Sequence, residues 1–474
     1  MRTVCRNCVC LVLLLAAAIG SSASPAGAPD TLAADSGYVV KEIVIAGNKT
    51  TRDFIILREL TFQAGDTLHR LDSTFRRSEE NLLNTSLFHR ADFTYVAEGR
   101  SIRVFIIVAE RWYIFPVPIF EIADRNFNEW WEHKDFSRVN YGAYVYWNNF
   151  RGRNETLTLA LRFGYTQRYS LYYEIPFINS GMRSGLIFSA GYSQNKEVAH
   201  STLHDKLAYV SEGDLNMKEE QAYSVQYTLR PDLYETHTLE GGYRKVVVND
   251  TVMLLNPNFI DGGERLSEKY FILRYAFRMD HRDIKVYPLH GWYADMEFIK
   301  NGFRLFKDDI DLVYLTSSYQ KYCQLGPKIY TGAELKGKLS GPAFQPYYNM
   351  RALGYGRDFV RGYEYYVTDG QKYGLGKFNL KYELVSRKYL NAGFLPEKFA
   401  HIPYAFYFNL YADGAYVQDI QFAHANQNVL PNSWLYGYGA GIDFVSYYDV
   451  VFRFEYSFNK FGESGIFIHF TASI

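Results

Sequence analysis

The chain has 474 residues and a formal net charge of zero, which argues against a nucleic-acid binder with its usual basic excess. Aromatic residues make up 18%, with 42 Tyr and 35 Phe, about double the ordinary usage of soluble proteins. Beyond the N-terminal stretch no apolar run reaches the ~20 residues a membrane helix needs. The composition fits a transmembrane barrel and also admits a secreted all-β protein.

Residues 1–23 read as a secretory signal. Arg2 and Arg6 precede the apolar run CLVLLLAAAIG, and Ser21-Ser22-Ala23 offers small residues for cleavage. Cys5, Cys8 and Cys10 lie within this segment, so cleavage leaves Cys323 and no intrachain disulfide. Residues 24–37 are small, polar and Pro-containing, and read as a flexible leader.

Tyr38 to Arg111 reads as one α+β domain. YVVKEIVIAG alternates up to a turn at Gly47-Asn48. TTRDFIILREL follows, with Phe54, Leu57 and Leu60 at helical spacing and Thr50 or Thr51 as N-cap. Gly65-Asp66 ends that helix. A second helix places Leu71, Phe75, Leu82 and Leu83 on one side. LFHRADFTYVAEGRSIRVFIIVAE reads as two strands joined at Glu98-Gly99-Arg100.

From Trp112 to Ile474 helical periodicity disappears and strand-like runs recur. Their bounds are 113–124, 138–150, 154–165, 168–177, 183–194, 219–229, 235–248 and 269–281, then 291–300, 310–322, 328–339, 374–387, 404–417, 435–445, 450–458 and 464–473. That makes an even number, sixteen, as bacterial antiparallel barrels require. Short connections (151–153, 178–181, 231–234, 324–327) alternate with long ones (195–218, 247–268, 340–373).

The faces are readable as well. Lys377, Asn379, Lys381 and Glu383 share one face; so do Asn409, Tyr411 and Asp413, and Arg453 with Glu455. A charge facing lipid costs a few kcal/mol, so these rows line a polar interior. The first run carries Pro116 and Pro118, which donate no ladder hydrogen bond. Either they weaken the seam where first and last strands meet, or they lie on the barrel rim.

Four features of Tyr38–Arg111 resemble a POTRA domain, in a single copy: the GN turn, the TxxxIIxREL helix, the Gly65-Asp66 break and the LFxxAxF strand entry. Two further motifs resemble the BamA and TamA-like superfamily of outer-membrane assembly barrels, of surface-antigen type. One is a turn with Asp280, Arg282, Asp283, Pro288 and Gly291. The other is Val360-Arg361-Gly362-Tyr363, followed by NxxxEL and then YAD. The resemblance implies a loop folded into the lumen, with Arg361 meeting acidic partners at Glu383 and Asp413 and Gly362 turning the backbone. The chain departs from the family in reading Asp413-Gly414-Ala415 where Asp-x-Gly is usual. It also ends at Ile474 rather than an aromatic, with Phe467 and Phe470 nearby.

The expected fold is therefore mostly β: a single POTRA domain (38–111) before a sixteen-stranded antiparallel transmembrane β-barrel (112–474). The resemblance implies a location in the outer membrane with the POTRA domain in the periplasm. Its expected partners are outer-membrane lipids and unfolded outer-membrane protein substrates, with accessory lipoproteins left open. The implied role is membrane assembly by protein insertion, through POTRA edge pairing and a lateral seam. A polypeptide secretion pore of the two-partner type is the alternative, and a purely structural barrel is the third. No enzyme motif (G-x-S-x-G, H-E-x-x-H, P-loop or Rossmann fingerprint) is present, and His133, His200, His204 and His281 lack metal spacing, so no catalysis, metal or cofactor is expected. Trp130 and Trp131 read as interface anchors.

Overall fold

Residues 37–122, 139–179, 183–260, 265–306, 310–356, 358–391, 401–446 and 451–469 are described by a computed structural model. The expected signal, residues 24–36 of the leader, Trp130, Trp131, His133, Phe470 and Ile474 lie outside them.

The first domain comprises β1 (Tyr38–Ala46), α1 (Asp53–Glu59), β2 (Thr67–Leu68), α2 (Leu71–Asn84), β3 (Phe88–Glu98) and β4 (Ser101–Glu110). Its sheet runs β2-β1-β4-β3, with β1 parallel to β4. Parallel neighbours need a long crossover, and the two helices lie within it. Alternation along β4 buries Ile102, Val104, Ile106 and Val108 in one core with Ile55, Ile56, Phe75 and Leu82. The apolar face expected for α1 is corrected: Ile55 and Ile56 are buried, while Phe54 and Leu57 are exposed. Thr50 and Thr51 do not cap the helix either, since Arg52 holds the cap position. Their backbone N–H groups are already bound to the Glu110 carboxylate at 2.7–3.1 Å.

Sixteen strands then form one antiparallel sheet in chain order. They are β5 (Ile114–Ile122), β6 (Val139–Phe150), β7 (Glu155–Gly164), β8 (Thr166–Ile175), β9 (Ser184–Asn195), β12 (Lys218–Leu229), β13 (Glu235–Val248) and β14 (Ser267–Asp280). The series continues with β15 (Gly291–Asn301), β16 (Leu312–Gly326), β17 (Ile329–Gly341), β20 (Lys372–Asn391), β21 (His401–Gln418), β22 (Trp434–Val445), β23 (Val451–Asn459) and β24 (Ser464–His469). Each predicted run overlays one of these strands.

The expected alternation of faces is present. Leu161, Leu239, Phe378, Leu410 and Phe454 point outward and are 44–51% exposed, whereas Asn379, Asn409, Glu455 and Ser457 point inward and are 0–1% exposed. An apolar exterior around a polar interior inverts the soluble pattern and matches a hydrocarbon surround. No helix among the described residues is long and apolar enough to cross a membrane.

The short turns lie at the end where the first domain docks. Arg52 N donates to Gly152 O (3.0 Å), Arg58 stacks on Phe177 (3.9 Å), Arg230 pairs with Glu59 (3.4 Å) and Asn84 Nδ2 donates to Asp283 O (3.0 Å). These contacts engage the β6–β7, β8–β9 and β12–β13 turns and the longer β14–β15 connection.

The long connections at the other end hold structure that the sequence pattern did not show. A hairpin, β10 (Glu197–Leu203) and β11 (Lys206–Ser211), projects from β9. A short helix α3 (Asp250–Leu255) follows β13, and two short strands, β18 (Arg351–Leu353) and β19 (Thr368–Asp369), pair within the longest loop. The hairpin and α3 contribute to a second apolar cluster containing Met217, Val252, Phe259 and Tyr347.

Candidate functional site in the barrel lumen

The loop between β17 and β20 carries FVRGYEYY into the lumen. Arg361 is 2% exposed and heads the fully buried side chains by volume among the described residues. Its Nη2 and Nε donate to the two oxygens of Asp413 at 2.5 and 2.8 Å, and its backbone N–H donates to Asp413 Oδ2 at 3.0 Å. Nη1 donates to Asn379 Oδ1 (2.8 Å) and to Glu455 Oε1 (3.3 Å), and the guanidinium lies 3.9 Å over the Tyr411 ring. A planar five-donor fork suits this bidentate, stacked arrangement, which an ammonium cannot reproduce.

The rest of the motif fastens the loop. Gly362 adopts φ +92°, a region that non-glycine residues enter at a cost. Its carbonyl accepts from Asn459 Nδ2 at 3.0 Å. Tyr363 OH donates to Tyr436 O (3.1 Å) and accepts from Lys460 N (3.1 Å), while Val360 is buried in an apolar cluster with Leu375 and Leu435.

Glu383 is not a partner of Arg361. It shares the inward face with Asn379 but lies four positions on, roughly 13 Å along the strand. There the ladder shifts register and Glu383 N donates to Lys328 O at 2.8 Å, beside a short turn. Asn379, Tyr411 and Glu455 take the contacts instead. All three are inward residues in the alternation of their strands, which was the available signal.

The expected turn motif joins β14 to β15 and does more than form a charged rim. Asp280 and Arg282 make a bidentate pair, both contacts at 2.8 Å, and Asp283 Oδ1 accepts from Leu289 N at 3.1 Å. Pro288 is buried, and Gly291 begins β15. This brings Tyr287 into the lumen, where its OH donates to Asp443 Oδ2 at 2.7 Å. Asp443 Oδ1 accepts from Arg453 Nε (3.1 Å), and Arg453 lies 3.7 Å from the Glu455 oxygen that also meets Arg361. A polar chain thus runs from Tyr287 through Asp443, Arg453 and Glu455 to Arg361, and the turn that carries Tyr287 also meets the docked domain at Asp283. Tyr287→Phe should cost about 1–3 kcal/mol, because it leaves a buried carboxylate oxygen short of a donor. The urea midpoint of the folded barrel measures that loss, and an unchanged midpoint would refute the link.

The outer end is covered by the β10–β11 hairpin. Asp205 at its tip accepts from Val429 N and Leu430 N at 3.0–3.1 Å, and its own N donates to Asn428 Oδ1 at 2.8 Å. Burial raises the Asp205 carboxyl above its usual range, and these N–H bonds act against the rise. Asp369, bonded to Tyr355, is pushed up by burial to about 6.

Pro116 and Pro118 lie in β5, the first strand of the sheet, and the pairing with β6 runs through both, at Val145 and Ala143. Among the described residues no ladder joins β5 to β24, and no cluster of His, Cys, Asp or Glu is arranged to hold a metal ion.

No protein-family model and no curated protein matches the chain. Among solved structures, CdiB from Escherichia coli is similar with a TM-score of 0.55 at 11% identity, covering 91% of this chain and 75% of the other. BamA from Haemophilus ducreyi lacking POTRA domains 1–3 gives 0.49 at 15% identity, over 91% and 83% of the two chains. CdiB from Acinetobacter baumannii gives 0.47 at 13%, over 92% and 74%. The likeness to E. coli CdiB establishes a shared fold.

Proposed function

We propose that the chain is an outer-membrane assembly factor that inserts or folds other membrane barrels through a lateral seam between β5 and β24. The observation that carries this reading is the pair Pro116 and Pro118. An uninterrupted register with β6 fits prolines whose nitrogens turn to the other edge. That edge lacks two ladder donors, which makes it the weakest line along which the sheet parts.

Two features agree with this role. The first domain, read as a periplasmic POTRA module, presents β3 as the last strand of its sheet, with Tyr95 and Val96 exposed. An extended, unfolded outer-membrane protein can add to such an edge. The loop bearing Arg361 is bonded inside the barrel to β20, β21 and β23, so a path along the axis would have to displace it, whereas a lateral exit would not pass through these bonds.

The seam is tested with Ile119→Cys combined in turn with cysteines at Ile466, Phe467 and Ile468, in a Cys323→Ser background. Crosslinking after reconstitution should abolish insertion of an unfolded eight-stranded barrel into vesicles, and reduction should restore it. Undiminished insertion by the crosslinked protein sinks the mechanism.

The second reading is a polypeptide-secretion pore of the two-partner type, favoured by the fold shared with E. coli CdiB. Planar-bilayer recording separates the two, because a large, stable conductance belongs to the pore.

A further inference from the structure

The last strand is held from inside. Register with β23 pairs Arg453 with His469, Glu455 with Phe467 and Ser457 with Gly465, so these β24 residues share the inward face. The FVRGYEYY loop lies along that face. Tyr366 OH donates to both oxygens of Glu463 (2.9 and 3.0 Å), and the Tyr365 ring meets Phe467 at 5.7 Å. Phe359 stacks on His469 at 5.4 Å. His469 Nε2 lies 3.5 Å from Glu364 on the loop and 3.5 Å from Glu455 on β23. Glu455 also receives Arg361, so the same carboxylate ties the loop anchor to the final strand.

We infer that the loop is the latch of the seam: Phe359, Glu364, Tyr365 and Tyr366 clasp β24, and the seam opens only when they let go. The inference rests on the lateral-seam reading above. Among the described residues β24 has six register pairs with β23 and no ladder to any other strand. Contacts from the loop therefore form a large part of what retains it. Tyr366 on Glu463 and Phe359 on His469 lie at opposite ends of the strand, so outward movement of β24 disrupts the whole clasp.

The centre of the clasp is electrostatic. His469 stands between two carboxylates with Arg453 opposite it in the ladder and Arg361 on the far side of Glu455, while Lys377 lies over Phe359 at 4.7 Å. The His469 ring thus stands between the Glu364 and Glu455 carboxylates, and its removal leaves the two acids facing each other across the gap between loop and strand.

The test uses the full chain, folded in vesicles, with Tyr365→Cys and Phe467→Cys in the Cys323→Ser background. A short reducible thiol crosslinker is added only after the heat-dependent gel shift shows a folded barrel. Insertion of the unfolded eight-stranded barrel should fall at least tenfold on crosslinking and return on reduction. If the Ile119 crosslink blocks insertion and the Tyr365–Phe467 crosslink does not, the latch is wrong and the seam stands. If neither blocks, or only the loop crosslink does, the seam reading fails and the latch fails with it. His469→Ala provides a second readout: by removing the ring that meets Phe359, Glu364 and Glu455, it should speed crosslinking between Ile119→Cys and a lipid-soluble maleimide several-fold, and an unchanged rate overturns the clasp.

Discussion

Arg361→Ala should cost about 3–5 kcal/mol of barrel stability and abolish insertion, because it removes one partner of a buried ion network and leaves the others uncompensated. Asp413 and Glu455, both with fully buried side chains, would then face each other across the lumen without the guanidinium. Arg361→Lys should rescue little, since an ammonium does not match the two Asp413 oxygens, the Asn379 oxygen and the Tyr411 face together. Asp413→Asn should be more severe than Glu455→Gln, because Asp413 takes three bonds from Arg361 and Glu455 takes one. Glu383→Ala should stay within about 0.5 kcal/mol, as a substitution away from the network. Urea midpoints of the folded barrel, read beside the insertion assay, check the series. A stable, active Arg361→Ala protein would leave the motif without the role assigned to it.

Gly437→Ala should release the loop while adding a single methyl group. A Cβ at this position would stand 1.9 Å from the carbonyl oxygen of Arg361 and 3.3 Å from Val360 Cγ1. The obstructing atom is backbone, so relief requires the whole Val360–Tyr363 segment to move. Overpacking of this kind costs about 1–3 kcal/mol, and here it also displaces the Arg361 guanidinium from Asp413. Gly376→Ala is the control, because its added Cβ meets Leu335 Cδ2 at an ordinary 3.5 Å. Limited proteolysis of the loop, with the urea midpoint, should separate the two variants; identical behaviour would show that the loop does not depend on this close approach.

The alternation of β20, β21 and β23 set the inward rows from residue types alone, since a strand repeats every two residues and a charge on the lipid face is expensive. It therefore put Asp413, Asn379, Tyr411, Arg453 and Glu455 on the lumen side before any neighbour was known. Glu383, expected from the resemblance, shares the inward face but not the position, because alternation carries no information about depth along the barrel axis. Depth comes from the stagger between strands: Asp413 pairs with Lys377 and Gly437, and Glu455 with Gly441, and only these registers bring Asp413 and Glu455 around one guanidinium.

The exposed Phe54 and Leu57 show the same limit in the first domain. Helical spacing offered several apolar faces on α1, and contact with β4 selected the one bearing Ile55 and Ile56. The hairpin β10–β11 had a quieter cause. Its partners across the mouth are backbone N–H groups of Val429 and Leu430, which carry no side-chain signature.

Sixteen strands, their inner and outer faces, the two prolines of the first strand and the Arg361 motif are all legible in residue types alone. Each of these is written locally, in a two-residue period or in a short run of residue types. The entry of Tyr287 into the lumen to meet Asp443, the link from Arg361 through Glu455 to His469, and the lie of the loop on the last strand come from the assembled barrel. Those contacts join residues far apart in the chain, and the curvature and stagger that bring them together belong to the sheet as a whole.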